Sequence, residues 1–477
     1  MKIKTDQYAE TARRELGNPN SRVFLNLLPA FLSVMRQAAM QSFPDPAAAH
    51  AMGGVIRAEA LDRLPELLEQ FERNATAAGT KVFWAWDGHA ANGYILDLAL
   101  KHGIGYVTKG KSMITEEIGL NDLLEENGIE VWETDLGEFI AQLLGRPPFH
   151  IVGPAVNVPV EEIRDLFMDR IGLEKPTTDP VELGLAARNF LRDKFHHMEM
   201  GITGVNMAVA ETGTIINVEN EGNIRFNKSS PRIQVSVMSL EKVVPTMMEA
   251  MHLLRLLCRN CTGQELGAYV SLDTGPKNPD EIDGPEELHV IILDNGRTRL
   301  YQDPNLREIL RCMRCGGCLN VCPIYRRIGG YPYGWAYSGP MGQILNPLLL
   351  GLDRTRDLVQ SCTLCHACRD ACMTGIDHPG LLLYLRSKAA EGDPDLGASP
   401  ESWPIAWFFK AFAHAAANPV LWRTTVRLVR SLFNRTAREG RVTKAPGPLA
   451  AWLESRDFPA MPEKTFHERW ADLERKG

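Results

Sequence analysis

A chain of 477 residues with a formal net charge of −7 has room for about two to four domains and a sizeable core. It is also too acidic for a general nucleic-acid binder, which would be basic. Its 44% hydrophobic and 23% charged residues are those of an ordinary globular protein, and no apolar run approaches the roughly 18–20 residues a bilayer span needs. The opening Met1-Lys2-Ile3-Lys4-Thr5-Asp6 leads into a polar helix, not a signal peptide. Cysteines in repeated runs without secretion read as metal ligands, not disulfides, and the cytoplasm is the expected location.

Residues 1–75 read as helical and alanine-rich, interrupted at Pro44-Asp45-Pro46. From 76 to 298 short apolar runs alternate with helical patterns, as expected of a stacked α/β domain. Lys81 to Trp86 reads as a strand with its helix at 89–102, Gly105 to Thr108 as a second with 112–127, and Ile129 to Glu133 as a third with 135–144. His150 to Gly153 and Leu288 to Leu293 are further strand candidates, and 203–237 holds several more between Gly and Asn turns. Residues 299–390 show few strand signals and read as helical. The tail, 391–477, opens with Gly, Pro and Asp and then changes charge sign.

Within the α/β region Lys109 and Lys111 precede Ser112 at a predicted helix start. That arrangement is either a phosphate or carboxylate site or a solvated, capped helix. Glu133, Asp135 and Glu138 offer three carboxylates for acid–base work, although Asp135 and Glu138 fit a capping box better. Gly201 to Gly204 and Glu211-Thr212-Gly213-Thr214 place flexible, polar turns between strands, where a backbone can approach a ligand closely. His196-His197 reads as packing on a helix. Cys258-Arg259-Asn260-Cys261 ends an apolar helix, and with no second pair to complete a zinc site it reads as two ordinary thiols; a redox-active pair is the alternative.

The strongest signal is a doubled run. Cys312-x2-Cys315-x2-Cys318-x3-Cys322-Pro323 is repeated as Cys362-x2-Cys365-x2-Cys368-x3-Cys372, with Met373 in place of proline. Four thiolates folded around one small volume suit a [4Fe–4S] cube, and this spacing belongs to two-cluster ferredoxins, in which the fourth cysteine of each run ligates the other cluster. One cube would take Cys312, Cys315, Cys318 and Cys372; the other would take Cys362, Cys365, Cys368 and Cys322. Structural zinc sites instead use two cysteine pairs per ion. His366 and Met373 leave the ligands intact but alter the surroundings that tune potential.

From Glu401 to Lys444 eight Lys/Arg stand against two Glu. Val420 to Arg438 sets apolar residues among Arg423, Arg427, Arg430, Arg435 and Arg438, a basic amphipathic helix. It either docks an acidic partner, touches an anionic membrane, or packs on its own domain with a solvated basic face. The apolar stretch Trp403 to Trp422 contains Pro404, Lys410, His414 and Pro419, which argue against a span.

Along nearly its whole length the chain resembles the lactate utilization protein B family. The resemblance is carried by Lys111 to Met113, Thr115 to Asn121, Glu133 to Glu138, Gly204 to Asn206, Glu211 to Thr214 and Glu219 to Asn223. Leu293 to Arg297, the two cysteine runs, Tyr333 to Trp335, Gly339-Pro340 and Trp452 to Trp470 continue it. The resemblance implies an α/β domain related to sugar-phosphate isomerases and formyltetrahydrofolate cyclo-ligases, then an α-helical two-cluster ferredoxin domain and a helical tail. It also implies partners: a cysteine-rich oxidoreductase subunit and a second protein with a similar α/β domain. Asn157 and Tyr331 stand where the family resemblance leads one to expect histidine. The candidate ligand site that the helix start and the turn offer in the α/β domain comprises Lys111, Ser112, Glu211 and Thr212.

The expected function is that of an electron-transfer subunit of an L-lactate-oxidising complex, relaying electrons through two [4Fe–4S] clusters to a quinone-linked or other acceptor. A subunit serving another organic acid, a quinone or a disulfide is the alternative, as is a cluster-bearing metabolite sensor. No GxGxxG fingerprint follows a strand, so hydride chemistry with a nicotinamide has no support.

Overall fold

In the computed structural model, which describes residues 2–444, 448–453 and 456–475, ten strands lie between residues 81 and 293. In chain order they are β1 (Lys81–Ala85), β2 (Tyr106–Lys109), β3 (Glu130–Glu133), β4 (Met200–Gly204), β5 (Met207–Val209), β6 (Thr214–Glu219), β7 (Ile233–Ser239), β8 (Val243–Val244), β9 (Tyr269–Asp273) and β10 (Glu287–Leu293). Six of them form a parallel sheet in the order β1-β10-β7-β4-β2-β3. Helices follow β1, β2 and β3 directly, as parallel pairing requires of its crossovers. The smaller sheet β8-β5-β6-β9 is mixed.

The central strands β7 and β10 are almost wholly buried because both faces of the sheet are covered. β10 is a near-continuous apolar run, whereas β7 alternates, and its buried Gln234 and Ser236 bond each other and Thr203. Ile233, Val235, Val237, Ile291 and Leu293 pack with Ile95 and Ala91 of helix Gly88–Lys101. Leu288, Val290 and Ile292 turn the other way, into a core that contains Leu67 and Phe71 of helix Leu64–Ala77 and also Cys318, Cys322, Cys368 and Cys372. The α/β sheet and the cysteine region therefore share one hydrophobic core.

The amino-terminal helices Tyr8–Gly17, Pro19–Met40, Pro46–Asp62 and Leu64–Ala77 break at residues 41–45, where Pro44-Asp45-Pro46 predicts it. Helix Pro19–Met40 packs on helix Met247–Thr262 and on helix Gly317–Val321, which carries the third cysteine of the first run and ends at the fourth. It is long and apolar enough to cross a membrane by length and composition, which corrects the expectation that no segment reaches that length. Here Leu25, Pro29, Leu32 and Met40 on it are buried.

Two other expectations change. Residues 112–127 form two helices, Met113–Glu117 and Leu120–Glu126, because Gly119 takes a left-handed φ of 66° between them. His150 to Gly153 is not a strand. Val152 N donates to His150 Nδ1 at 3.1 Å and Phe149 N to Pro154 O at 2.7 Å. These bonds fold the segment into a buried loop, an alternative to a ladder that periodicity does not reveal. Residues 400–477 form a separate compact unit with helices Trp403–Ala417, Pro419–Asn434, Pro448–Leu453 and Phe466–Glu474 and a short pairing of Arg441–Val442 with Phe458–Pro459. Expected tail residues 445–447, 454–455 and 476–477 lie outside the described residues.

Candidate functional site

The two cysteine loops have one backbone shape. Arg314 and Leu364, each two residues after the first cysteine, have φ of 56° and 54°; Gly316 and His366, each after the second, have φ of 75° and 63°. These turns aim backbone N–H groups at the first thiol of each run: Arg314 N reaches Cys312 Sγ at 3.4 Å, and Leu364 N reaches Cys362 Sγ at 3.3 Å. A left-handed φ is easy for glycine and strained for other residues. That Arg314, Leu364 and His366 adopt it shows how strongly the surroundings hold the loops. Arg386 clamps the second loop by donating to Val359 O, Gln360 O and Cys362 O.

The thiols group across the runs. Cys372 lies near enough to Cys312, Cys315 and Cys318 that its charge would raise their pKa. Cys322 is itself raised by the charges of Cys362 and Cys365 and in turn raises Cys368, and those four line one small cavity with Pro340 and Gln343. Burial first, and neighbouring thiolates second, push the bare Cys322 thiol up to about 11 and the Cys368 thiol up to about 12. Burial likewise takes Cys312 up to about 12, in spite of the Arg314 charge beside it. Thiolates crowded in such a place need a positive core among them, which an iron–sulfur cluster supplies. Among the described residues no three His, Cys, Asp or Glu side chains converge as a single metal ion requires. The donor set and the crossed grouping fit two cubes.

The groups differ in surroundings. In the second, Cys365 is exposed and Cys362 half-buried. In the first, Cys318 and Cys372 are buried, and Cys315 accepts a hydrogen bond from Asn260 Nδ2 at 3.0 Å. Asn260 also accepts from Arg36 Nε, and Arg36 reaches Ala371 O beside Cys372 at 3.3 Å. Met373, standing where the first run has proline, is buried in the core of the smaller sheet, and its carbonyl lies 2.5 Å from where a Cβ on Gly53 would stand. Helix Pro46–Asp62 could not seat against the second run with a side chain there.

Cys315, Met313 and Arg314 also wall a cavity of about 250 Å³ at the carboxyl ends of β2, β3, β4 and β7, where open parallel sheets place their ligands. Lys111 and Ser112 line it. Lys111 Nζ donates to Val152 O at 2.7 Å and lies 3.7 Å from Asp135, while Ser112 Oγ caps helix Met113–Glu117. Glu211 and Thr212 do not join them. Glu211 accepts from Met247 N at 3.0 Å, Thr212 donates to Thr214, and a Cβ on Gly213 would strike Ala75 N at 2.3 Å, so this turn packs on helix Leu64–Ala77.

Lys109 is fully buried between Glu116 and Glu133, both at 2.7 Å. Asp135 caps its helix as expected, but Glu138 does not close the box: both of its carboxylate oxygens are buried without a hydrogen-bond partner among the described residues. Burial, then Glu133, holds its pKa well above the carboxylate range. Cys258 and Cys261 line the cavity beside Cys315, and burial raises the thiol pKa of both, Cys261 to about 12. His196 and His197 are exposed at a helix end, not packed. Asn157 Nδ2 donates to Tyr331 Oη at 3.2 Å, so the two positions expected to carry histidine face each other.

Sequence reasoning missed a buried ionic chain that ties the first loop to the sheet. Glu117 accepts from Arg297 at 2.9 and 2.6 Å and from Asn295 at 2.6 Å, Arg297 Nε lies 3.3 Å from Glu241, and Glu241 accepts from Arg314 at 2.7 Å. The four charges are far apart in sequence and no local pattern links them. Lys242, next to Glu241, lines the cavity and was likewise missed.

An α/β domain fused to a crossed, doubled cysteine domain defines a class of iron–sulfur protein, and comparisons with known families agree. Residues 68–293 match the LUD domain, 308–376 the 4Fe-4S dicluster domain, and 390–475 the C-terminal domain of lactate utilisation protein B. A protein of Geobacillus kaustophilus named Lactate utilization protein B is 40% identical over 478 residues, covering 100% of this chain and 99% of that protein. Its namesakes from Geobacillus thermodenitrificans and Bacillus subtilis are 43% identical over 88% of this chain and 87% of theirs, and 38% identical over 99% and 98%. The chain belongs to the lactate utilization protein B family. A solved structure of a DUF162 family protein from Deinococcus radiodurans aligns with 48% of this chain and 98% of that one at 15% identity and a TM-score of 0.28, too remote to bear on the fold.

Proposed function

We propose that this chain is the iron–sulfur electron-transfer subunit of an L-lactate-oxidising complex. In this reading Cys312, Cys315, Cys318 and Cys372 hold one [4Fe–4S] cluster, and Cys322, Cys362, Cys365 and Cys368 hold the other. The observation that carries it is the different outlook of the two thiol groups: the first touches the cavity of the α/β domain through Cys315, and the second reaches the surface at Cys365. Bound there, the clusters supply one-electron transfer between cavity and surface.

The chain's own residues prepare that path. Asn260 and the loop amides donate to thiolate sulfurs and favour their charged form. Arg314, held by Glu241 and lying over the Tyr337 ring, fixes the first loop against the sheet. We infer further that the parallel sheet shares its fold with sugar-phosphate isomerases and formyltetrahydrofolate cyclo-ligases. Partners are the cysteine-rich subunit and second LUD-domain protein that the family resemblance implies, feeding a quinone-linked or other acceptor. The tail supports docking to them or to the inner face of a membrane: helix Pro419–Asn434 carries Arg423 beside exposed Leu428 and Leu432, while Arg427 and Arg430 pair with Glu468 of the same tail.

The test is purification with native partners under anaerobic conditions, followed by redox titration and L-lactate-dependent dye reduction. Two reversible one-electron signals and lactate-dependent reduction are expected. Activity with another acid but not lactate refutes the substrate, and fewer than two reversible signals refutes the relay.

A further inference from the structure

The cavity beside Cys315 contains three carboxylates and, with Arg314, three cations, and most are already engaged. Asp135 lies by Lys111 and accepts from Gly137 N and Glu138 N. Glu219 accepts from Ile224 N at 2.6 Å and Arg225 N at 2.7 Å, and Glu221 accepts from Leu136 N at 3.0 Å. Arg314 is taken by Ser239 and Glu241. Lys242 is the exception. It is 6% exposed and lines the cavity, yet among the described residues its ammonium makes no hydrogen bond or salt bridge.

The local backbone explains why. Leu240–Lys242 is a single 3-10 turn at the end of β7. It sends Glu241 into the ionic chain with Arg297 and Arg314 and leaves Lys242 facing the cavity. A buried cation with neither hydrogen bond nor salt bridge is strongly disfavoured, and Arg314 on the same cavity wall adds a like charge. An anion seated there would restore the charge. The remaining walls include Met113, Val205, Met238 and Leu257, so the anion that fits is an organic one. About 250 Å³ holds roughly eight waters' worth of volume, the scale of a small acid and not of a dinucleotide.

We propose that this cavity binds a small organic acid, with its carboxylate on the Lys242 ammonium, Lys111 at the rim, and its body against the wall formed by Met313 and Cys315. The redox meaning of the site, though not the binding itself, rests on the relay reading, because its place next to Cys315 matters for electron transfer only if that thiolate holds iron. It assigns to Lys242 a binding role that no sequence motif marks, and it makes the α/β domain the compartment from which the first cluster is addressed.

The test uses the full chain, purified anaerobically with its clusters, and three probes: L-lactate, pyruvate and the neutral analogue hydroxyacetone. Affinity is measured by calorimetry, and the electron paramagnetic resonance spectrum of the reduced protein is recorded with and without probe. At least one acid is expected to bind saturably, about tenfold or more tighter than hydroxyacetone, and to perturb one of the two cluster signals. Lys242→Met should weaken that binding about tenfold or more with iron content unchanged, and Lys242→Arg should recover most of it.

Failure of both acids to bind the cluster-loaded wild-type protein overturns the site by itself, whatever the variants do. So does a Lys242→Met protein that binds as wild type and shows only a shifted cluster potential, since the lysine then balances cluster charge. Binding of hydroxyacetone as tight as the acids overturns the carboxylate assignment. Should the acids bind while the clusters fail to titrate reversibly, the relay reading falls and the binding site stands.

Discussion

Replacing Asn260 by leucine tests whether Cys315 belongs to the cluster beside the cavity and how the chain sets that cluster's potential. Asn260 is 1% exposed and gives Cys315 Sγ a 3.0 Å hydrogen bond; leucine keeps the bulk and removes the donor. A hydrogen bond to a charged group is worth about 1.5–3 kcal/mol, and it strengthens when the acceptor gains an electron. Taking between a third and a half of that as dependent on oxidation state leaves about 1 kcal/mol, or about 40 mV for a one-electron couple. Losing the donor destabilises the reduced state, so the potential falls. The assay is a redox titration followed by electron paramagnetic resonance, with the second cluster as internal control. Asn260→Asp, which also adds a negative charge, should lower the potential further. An unchanged first potential, or a fall in the second cluster alone, refutes the reasoning.

Cys322→Ser should cost the cluster grouped with Cys362, Cys365 and Cys368, not the one its own run begins, lowering iron from about eight to about four per chain; loss of the other signal would overturn the crossing. Cys318→Ser should remove the first cluster, whereas Cys258→Ser should leave both intact by iron assay. Arg297→Met strands the fully buried Glu117 and loosens Glu241, at a cost of about 3–5 kcal/mol by denaturant unfolding. Adding Glu117→Met should recover much of that loss, and a single-variant cost below about 1 kcal/mol would contradict the burial of the pair. Burial holds His150 down to about 4, and Val152 N occupies the Nδ1 that protonation would need. The unfolded histidine takes its proton near pH 6.5, so this contribution is complete above that pH and is lost as pH falls towards about 4, by about 3 kcal/mol. The stability difference between wild type and His150→Asn should slope across that window, and a flat difference would refute it.

Much of this was legible in the sequence because it is local. Strands β1, β2, β3 and β10 announce themselves as apolar runs near their observed positions, and the doubled cysteine run marks the stretch that matches a 4Fe-4S dicluster domain. Ser112, Asp135 and Gly263 mark helix ends through short-range caps that a window of a few residues can hold. What was not legible depends on partners distant in the chain. His150 to Gly153 has strand composition, but its Val152 amide is claimed by the His150 ring and the preceding Phe149 amide by the Pro154 carbonyl. The turn at Glu211 to Thr214 has the look of a ligand loop, yet its glycine serves the approach of helix Leu64–Ala77. Lys242 is one lysine among many until β7 delivers it to the cavity. Lys111 was visible only because it stands beside a capping serine.

The proposed exchange of the fourth cysteine between runs would also constrain how the protein is made. The first thiol group is incomplete until Cys372 has been synthesised, and the second cannot close without Cys322 from the earlier run. Neither half of the cysteine domain can therefore mature alone, and a chain truncated between the runs would hold no finished site. A chain that loses one thiol by substitution still carries all four thiols of the other group, whereas a chain that lacks a whole run completes neither.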